Sequence, residues 1–154
     1  MSQVALVVEG RTTLAQSWCA LKVLHDRIDA ALERQLQAGH GISVREFSLL
    51  EVLGRQHHGD GGHLQMKELA TAVVLSQSAT TRLVARLEER GLLERYICPT
   101  DRRGIYTSVT PAGLTLLNEA RPTNASALDE ILDRLATDPA MASLVELLRA
   151  DHQN

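Results

Sequence analysis

The sequence predicts a mainly α-helical protein that carries one short two-stranded β-hairpin. Over most of the chain, apolar residues recur every three or four positions, which is the spacing of one helix face. Between residues 92 and 109 the spacing shortens toward two, as in a half-buried strand. Aromatic residues are only 3% of the 154 positions, so the core must be aliphatic.

A long first helix is predicted from a stripe of residues spaced by three and four positions, and it should end near Gly39 and Gly41. The stripe consists of Leu14, Trp18, Leu21, His25, Ile28 and Leu32. Ser43 and Glu46 then match a capping box, in which each side chain satisfies the backbone amide of the other as a second helix begins. Residues 54–62 hold four glycines and no apolar residue, which predicts a flexible connection.

Two short helices joined by a tight turn come next. Residues 64–74 are predicted as the first helix. Ser76 is the expected N-cap of the second, which runs to Arg90 and stops at Gly91. Only two residues separate the helices, which is the spacing of a helix-turn-helix.

The hairpin follows, with strands at 92–97 and 105–109 joined by the loop CPTDRRG. Thr110 and Pro111 provide an N-cap and a proline in the first turn, so a new helix is predicted there. Its apolar pattern extends to Leu135, although Pro122 is expected to break or kink it. The same cap-and-proline signal at residues 138–139 predicts a last helix.

Composition narrows the function classes. A formal net charge of −3 argues against a protein that coats nucleic acid by bulk electrostatics, although residues 76–104 carry six basic and four acidic side chains. No stretch approaches the roughly 18 apolar residues that a membrane span needs, and the first residues do not resemble a signal peptide. We therefore expect a cytoplasmic protein whose nucleic-acid binding, if present, is confined to one surface.

The second helix of the predicted helix-turn-helix has two unlike flanks. One flank is apolar and should pack inward, whereas the other carries short polar groups and one arginine. Such side chains can approach base edges and phosphates: glutamine suits adenine, and arginine suits guanine or phosphate. The inward flank has Ala79, Leu83 and Leu87, with Thr80 and Val84 beside them, and the outward flank has Gln77, Ser78, Thr81, Arg82 and Ala85.

The hairpin loop presents Arg102 and Arg103 at its tip, where long guanidinium side chains can enter a narrow minor groove. Asp101 cannot favour DNA through its charge, so we expect it to pair with an arginine such as Arg86 and orient the loop. A polar helix face or an arginine turn alone is more typical of an ordinary solvated surface. Their order and spacing together predict a DNA-binding surface.

With these motifs the chain resembles the MarR family of winged helix-turn-helix regulators. The matching stretch is residues 64–117, and it is strongest in LSQSATTRLVARLEERGLLER, the DRRG loop and SVTPAG. The resemblance implies a DNA-binding domain at 43–110, with dimerisation helices at 1–42 and 111–154. It places Ser76, Gln77, Ser78, Thr80, Thr81, Arg82 and Arg86 in the recognition helix, and Asp101, Arg102 and Arg103 in the wing.

The same resemblance implies a function. A two-fold homodimer would present its recognition helices roughly 34 Å apart, which matches a palindromic operator in double-stranded DNA. The family usually represses, and it is often released from DNA by a small, commonly phenolic, effector. No cofactor is implied.

Three residues are candidates for an effector site. Trp18 and His25 lie seven positions apart on the first-helix stripe. An indole ring that stacks on a ligand, next to an imidazole that donates a hydrogen bond, could bind an aromatic acid or phenol. Arg11 is a further candidate, for holding a carboxylate. The alternative is that Trp18 and His25 belong to the core or to a dimer interface, and the sequence leaves both interpretations open.

The cysteines and a histidine cluster are further candidates, as sensors. An oxidant-sensing branch of the family carries its reactive cysteine near the start of the first helix, where Cys19 lies. No clear cation neighbours it, so an inert buried thiol is favoured, and Cys98 is interpreted as structural. His57, His58 and His63 lie in the glycine-rich loop, which preorganises no metal ligands, so no metal site is predicted.

Two other classes compete with a DNA-binding regulator. An enzyme is not predicted, because no nucleophile triad, phosphate loop, nucleotide fingerprint or carboxylate pair occurs in a suitable context. A winged domain could also serve as a protein-interaction module that never touches DNA. The arginines of the hairpin loop and the polar flank around Gln77 favour DNA binding.

Overall fold

Six helices and three short strands make up the part of the chain that the structure describes. The structure is a computed structural model, and it describes residues 13–56, 64–97, 104–150 and 152. The elements in chain order are α1 (Leu14–His40), α2 (Val44–Gln56), β1 (Leu64–Gln65), α3 (Met66–Ala72), α4 (Gln77–Glu89), β2 (Leu93–Ile97), β3 (Ile105–Val109), α5 (Pro111–Leu135) and α6 (Ala142–Ala150).

Helix α1 is capped at both ends. Thr13 Oγ1 accepts a hydrogen bond from the amide of Gln16 at 3.2 Å, and Gln16 Oε1 accepts one from the amide of Thr13 at 2.8 Å. Gly41 ends the helix in the left-handed conformation (φ 64°), and its amide donates to the carbonyl of Gln37. The predicted end of the first helix is confirmed.

The start of α2 is held by side chains from two other helices. Ser43 Oγ accepts from the amide of Glu46 at 3.0 Å, as predicted. The Glu46 carboxylate, however, accepts from Arg90 Nη1 at 3.1 Å, at the end of α4. The Glu33 carboxylate of α1 accepts a further hydrogen bond, from the amide of Val44 at 2.8 Å. The second half of the capping box thus becomes a link between α2 and α4.

The sheet has three antiparallel strands in the order β1-β3-β2. β2 and β3 form the predicted hairpin. The prediction that a helix starts at residue 64 was wrong, because α3 begins at Met66. Leu64 and Gln65 instead form β1, in which they pair with Thr107 and Tyr106. Two residues are too few to show a strand periodicity, so pattern alone could not reveal β1.

The carboxyl-terminal part differs from the expectation at two points, the predicted break at Pro122 and the predicted helix start at Asp138. Helix α5 runs through Pro122 to Leu135 without a break, and it packs along α1. Helix α6 begins at Ala142 rather than at Asp138. Residues 138–141 form a turn instead, in which the carbonyl of Asp138 accepts from the amides of Met141 and Ala142, each at 2.9 Å.

The start of α5 is fastened to the end of α4, which explains the motif SVTPAG. Thr110 Oγ1 accepts from the amide of Gly113 at 3.1 Å and donates to the carbonyl of Gly91 at 2.7 Å. The amide of Thr110 donates to the carbonyl of Leu92 at 3.1 Å. A Cβ on Gly113 would lie only 2.2 Å from that carbonyl oxygen, so only glycine fits here.

The core has two parts, and it is aliphatic as predicted. The larger part joins the sheet to α2, α3 and α4, with contributions from α1 and α5, and Phe47 is its single aromatic residue among those described. The smaller part lies between α1, α5 and α6. It consists of Leu24, Leu132, Leu135, Met141 and Val145.

Candidate nucleic-acid interface

Helices α3 and α4 pack against each other across a tight turn. The amide of Leu75 donates to the carbonyl of Ala70 at 3.0 Å, and Ser76 Oγ accepts from the amide of Ala79 at 3.2 Å, which starts α4 at the predicted N-cap. Between them, Val74 adopts a left-handed backbone (φ 56°) with 87% of its surface exposed. This geometry confirms the helix-turn-helix.

Helix α4 buries one flank and exposes the other. Leu83, Val84 and Leu87 are buried in the larger core. The exposed flank carries the polar residues predicted for it, which are Gln77, Ser78, Thr81 and Arg82, whereas Ala85, also predicted there, is half-buried. Arg86, one turn beyond Arg82, is exposed as well. Ser76, at the N-cap, is also exposed.

Thr80 does not belong to the exposed flank. Its side chain is fully buried, and its Oγ1 donates to the carbonyl of Ser76 at 2.9 Å. A hydroxyl in that position cannot contact DNA from the surface of α4, so its place among the predicted DNA contacts was wrong. Thr81 is exposed, and its Oγ1 donates to the carbonyl of Gln77 at 2.8 Å.

The charges on α4 fall into two groups. Arg82 and Arg86 form no ion pair with any described residue. At the far end of the helix, Glu88 accepts two hydrogen bonds from Arg95 of β2, which hold the pKa of the Glu88 carboxyl below its usual range and raise the pKa of the Arg95 guanidinium. Glu88 and Arg95 were not predicted as functional residues, because a strand-to-helix pair seven positions apart has no sequence signature.

The sheet places the hairpin beside α4. Tyr96 and Tyr106 are cross-strand neighbours whose ring centroids lie 6.1 Å apart, and Gln65 Nε2 donates to the Tyr106 hydroxyl at 3.2 Å. All three strands are therefore tied together near the end that leads into the hairpin loop. The loop residues Asp101, Arg102 and Arg103, and with them the expected pairing of Asp101 to an arginine, lie outside the described residues.

The effector candidates do not meet in a pocket within one subunit. Trp18 is 65% exposed, and the His25 side chain is also exposed, with Nδ1 lying 3.3 Å from Asp26 Oδ1. Arg11 lies outside the described residues. The stripe of the first helix therefore faces away from the subunit's own core over its first two turns.

The sensor candidates have mixed outcomes. Cys19 is exposed, so the expectation of a buried thiol was wrong for the single subunit. Cys98, His57, His58 and His63 lie outside the described residues. Among the residues that are described, no three metal-binding side chains come together.

None of the described helices is long and apolar enough to cross a membrane.

Comparison with known proteins points to one family. The sequence model of the MarR family matches residues 40–104, which include the helix-turn-helix. The regulator MhqR of Bacillus subtilis is 33% identical over 99 residues, which span 64% of this chain and 65% of MhqR. The chain resembles the MarR family over residues 40–104. Members of this family are DNA-binding transcriptional regulators rather than enzymes.

Solved structures of the MarR family share the fold. The Streptomyces coelicolor regulator Sco3205, solved in complex with DNA, has a TM-score of 0.67 and 27% identity, and the match covers 88% of this chain and 84% of Sco3205. CouR of Rhodococcus jostii RHA1, solved with p-coumaroyl-CoA, has a TM-score of 0.69 and 26% identity, with 92% and 94% covered. The predicted winged-helix class is thereby confirmed, with one strand more than expected.

Proposed function

We propose that this protein is a sequence-specific transcriptional regulator that inserts α4 into the major groove of DNA. The observation that carries the proposal is the exposed flank of α4, where Gln77, Ser78 and Thr81 lie beside Arg82. The opposite flank of the same helix is buried, so α4 is held rigidly with its polar side outward. The Sco3205 complex with DNA supports the same use of this fold.

The active form is a homodimer on a palindromic operator. Large apolar side chains are exposed on both terminal helices, which is costly in water unless a partner covers them. A second copy offers the same helices, and a two-fold pair would match two half-sites. These exposed side chains are Leu14, Trp18, Leu21 and Val23 on α1, and Leu147 and Leu148 on α6. They support the division into dimerisation helices at 1–42 and 111–154 around the DNA-binding domain.

Repression of a nearby gene, relieved by a small aromatic effector, is the mode of action that we propose. Trp18 and His25 are exposed in one subunit, so an effector site that uses them is completed by the second subunit. CouR, solved with p-coumaroyl-CoA, supports an aromatic acid derivative as the ligand class. The variant Trp18→Ala/His25→Phe should bind the operator but no longer release it when the effector is added.

A thiol-based switch is the second candidate, and the exposure of Cys19 favours it. An accessible thiol near the start of α1 can be oxidised, whereas a buried one cannot. Peroxide should then weaken operator binding by the wild-type protein and leave Cys19→Ser unaffected. Equal operator affinity of the wild-type protein before and after peroxide would remove this candidate.

Fluorescence anisotropy with two duplexes tests DNA binding itself. One duplex carries the region upstream of the protein's own gene, and the other is an unrelated sequence of equal length. We expect tighter binding to the first and a steep loss of affinity for both as salt rises. Gln77→Ala should reduce the preference between them, whereas Gln35→Ala, an exposed change on α1, should not. A protein-interaction module would bind neither duplex.

A further inference from the structure

A cleft of about 390 Å³ lies along one side of α4, and three arginines line it. Arg82 and Arg86 belong to α4, whereas Arg45 comes from the first turn of α2. The other side chains that line the cleft are apolar. They are those of Leu75, Ala79, Leu83 and Ala85.

These arginines differ from most others in the described part of the chain because they have no acidic partner there. Seven described arginines form ion pairs with carboxylates, and they are Arg27, Arg55, Arg90, Arg95, Arg121, Arg134 and Arg149. Four form none within the described residues, and three of those four line this cleft. The fourth is Arg34 on α1.

Three guanidinium groups around one cleft, with no carboxylate partner within the described residues, repel one another. Arg82 and Arg86 are four positions apart on α4, a spacing at which like charges destabilise a helix. An external anion that enters the cleft removes this repulsion and gains charge-assisted hydrogen bonds. Guanidinium groups match the oxygens of a phosphate particularly well.

The position of Arg45 identifies the source of the phosphate. An α-helix with its side chains is about 10–12 Å across, and the major groove is about 12 Å wide. When α4 occupies the groove, a side chain that reaches α4 from a neighbouring helix lies against the sugar-phosphate backbone at the groove's edge. Arg45 reaches the cleft from α2 in this way.

We propose that Arg45, together with Arg82 and Arg86, binds a backbone phosphate of the DNA at the edge of the groove that α4 enters. The inference rests on the proposed function and extends it to a residue outside the helix-turn-helix. Arg45 anchors the DNA without reading its sequence, because every step of the duplex presents the same phosphate. Arg82 and Arg86 set the register of α4 through the same contact.

The salt dependence of binding tests this proposal. The plot of log K against log salt has a negative slope, and each lost phosphate contact makes it less steep by about 0.9. Arg45→Ala in both subunits of a dimer should therefore make it less steep by about 1.8. The variant should weaken binding to the upstream duplex and to the unrelated duplex by the same factor. Arg45→Lys should retain most of the slope, since the charge is kept. Arg34→Ala, which removes an arginine that likewise forms no ion pair within the described residues, should leave the slope unchanged.

The outcomes separate this proposal from the proposed function. If the wild-type protein binds neither duplex, the regulator assignment fails. If the wild-type protein binds DNA while Arg45→Ala and Arg34→Ala have equal slopes, only the phosphate contact is refuted. A loss confined to the upstream duplex would also refute it, because that result belongs to a residue that reads bases. Thermal melts should show Arg45→Ala folded like the wild type, since Arg45 is exposed and unpaired among the described residues.

Competition by inorganic phosphate distinguishes a DNA phosphate from a free anion. At matched ionic strength, phosphate and chloride should inhibit DNA binding by the wild-type protein to a similar extent, since one free anion competes poorly with a polyanion. Stronger inhibition by phosphate that disappears in Arg45→Ala, together with an unchanged salt slope, would assign the cleft to a free anion and overturn the DNA contact.

Discussion

Glu88 near the end of α4 and Arg95 on β2 form a two-point ion pair, with Nε 2.9 Å from Oε2 and Nη2 3.0 Å from Oε1. Parallel hydrogen bonds of this kind fix the orientation of both groups as well as their distance. Because one partner is on α4 and the other is on a hairpin strand, the pair fixes the angle between α4 and the hairpin.

Glu88→Gln should therefore affect DNA binding more than stability. Both side chains are about a third exposed, and such pairs contribute only about 0.2–1 kcal/mol. We expect a loss of unfolding free energy within that range in urea titrations, with a clear drop in operator affinity because the hairpin is no longer oriented. Glu94→Gln, an exposed change on the same hairpin, is the control. A large stability loss with unchanged affinity would contradict the orienting role.

The same pair gives stability a defined pH dependence. The hydrogen bond from Arg95 lowers the pKa of Glu88 from 4.5 in the folded protein, so the unfolded chain binds the proton first as the pH falls. The stabilisation is complete above the unfolded pKa and is lost as the pH falls through the lowered folded pKa. The stability difference between wild type and Glu88→Gln should be constant at neutral pH and shrink as the pH falls below 4.5. A difference that grows on acidification would refute it.

Gly113→Ala should destabilise the protein by about 1–3 kcal/mol or more, as overpacking does. The added Cβ would meet the carbonyl oxygen of Leu92 at 2.2 Å, and a backbone atom cannot move aside as a flexible side chain can. Gly39→Ala is the matched control, because its Cβ would meet only Thr123 Cγ2 at 3.9 Å. The free energy of unfolding of Gly39→Ala should rise by up to about 1 kcal/mol, because alanine has a higher helix propensity than glycine. Urea unfolding measures both, and equal effects would be evidence against the close contact.

Val74→Gly should stabilise the protein by about 1 kcal/mol. A left-handed backbone costs a residue with a side chain roughly 1–2 kcal/mol, most of all when it is β-branched, and glycine avoids that cost. Val74 is exposed, so little packing is lost. Ala72→Gly, at the last residue of α3, should instead lose up to about 0.5 kcal/mol of unfolding free energy. Thermal melts of both variants check the opposite signs, and a destabilised Val74→Gly would show that the turn is unstrained.

Thr107→Val should also stabilise, by about 1 kcal/mol. The side chain is fully buried on the central strand, and its Oγ1 has no hydrogen-bond partner among the described residues. Thr80 is the matched case, equally buried but with its hydroxyl bonded to the carbonyl of Ser76 at 2.9 Å. Thr80→Val should lose stability where Thr107→Val gains it. Urea titrations that show the same sign for both variants would rule out the unsatisfied hydroxyl as the cause.

Both ends of α4, the start of α5 and the hairpin could be predicted from the sequence because local chemistry decides them. The N-caps of α4 and α5 accept hydrogen bonds from backbone amides within three residues, and they are Ser76 and Thr110. Gly91 follows the end of α4, and Pro111 fits the first turn of α5. The third strand could not be predicted, since Leu64 and Gln65 become a strand only by pairing with β3. The unbroken course of α5 depends in the same way on packing along α1.

The candidate site was predictable only in part. A helical wheel assigns the buried flank of α4 correctly and places Thr80 beside it, whereas the family resemblance counted Thr80 among the DNA contacts. The stripe of Trp18 and His25 shows a helix face without saying whether the same chain or a second one covers it. Arg45 is far from α4 in sequence, so only the fold brings it to the cleft.

Pro122 lies near the middle of α5, the long connection between the winged part of the molecule and α6. A proline inside a helix removes one backbone hydrogen bond, so bending resistance is lowest at that point. The arm from Pro122 to the far end of α5 is about 20 Å long at 1.5 Å per residue. A tilt of a few degrees there moves the tip by an ångström or more. Bending at Pro122 would thus move α6 relative to the winged part of the molecule without deforming either half of α5.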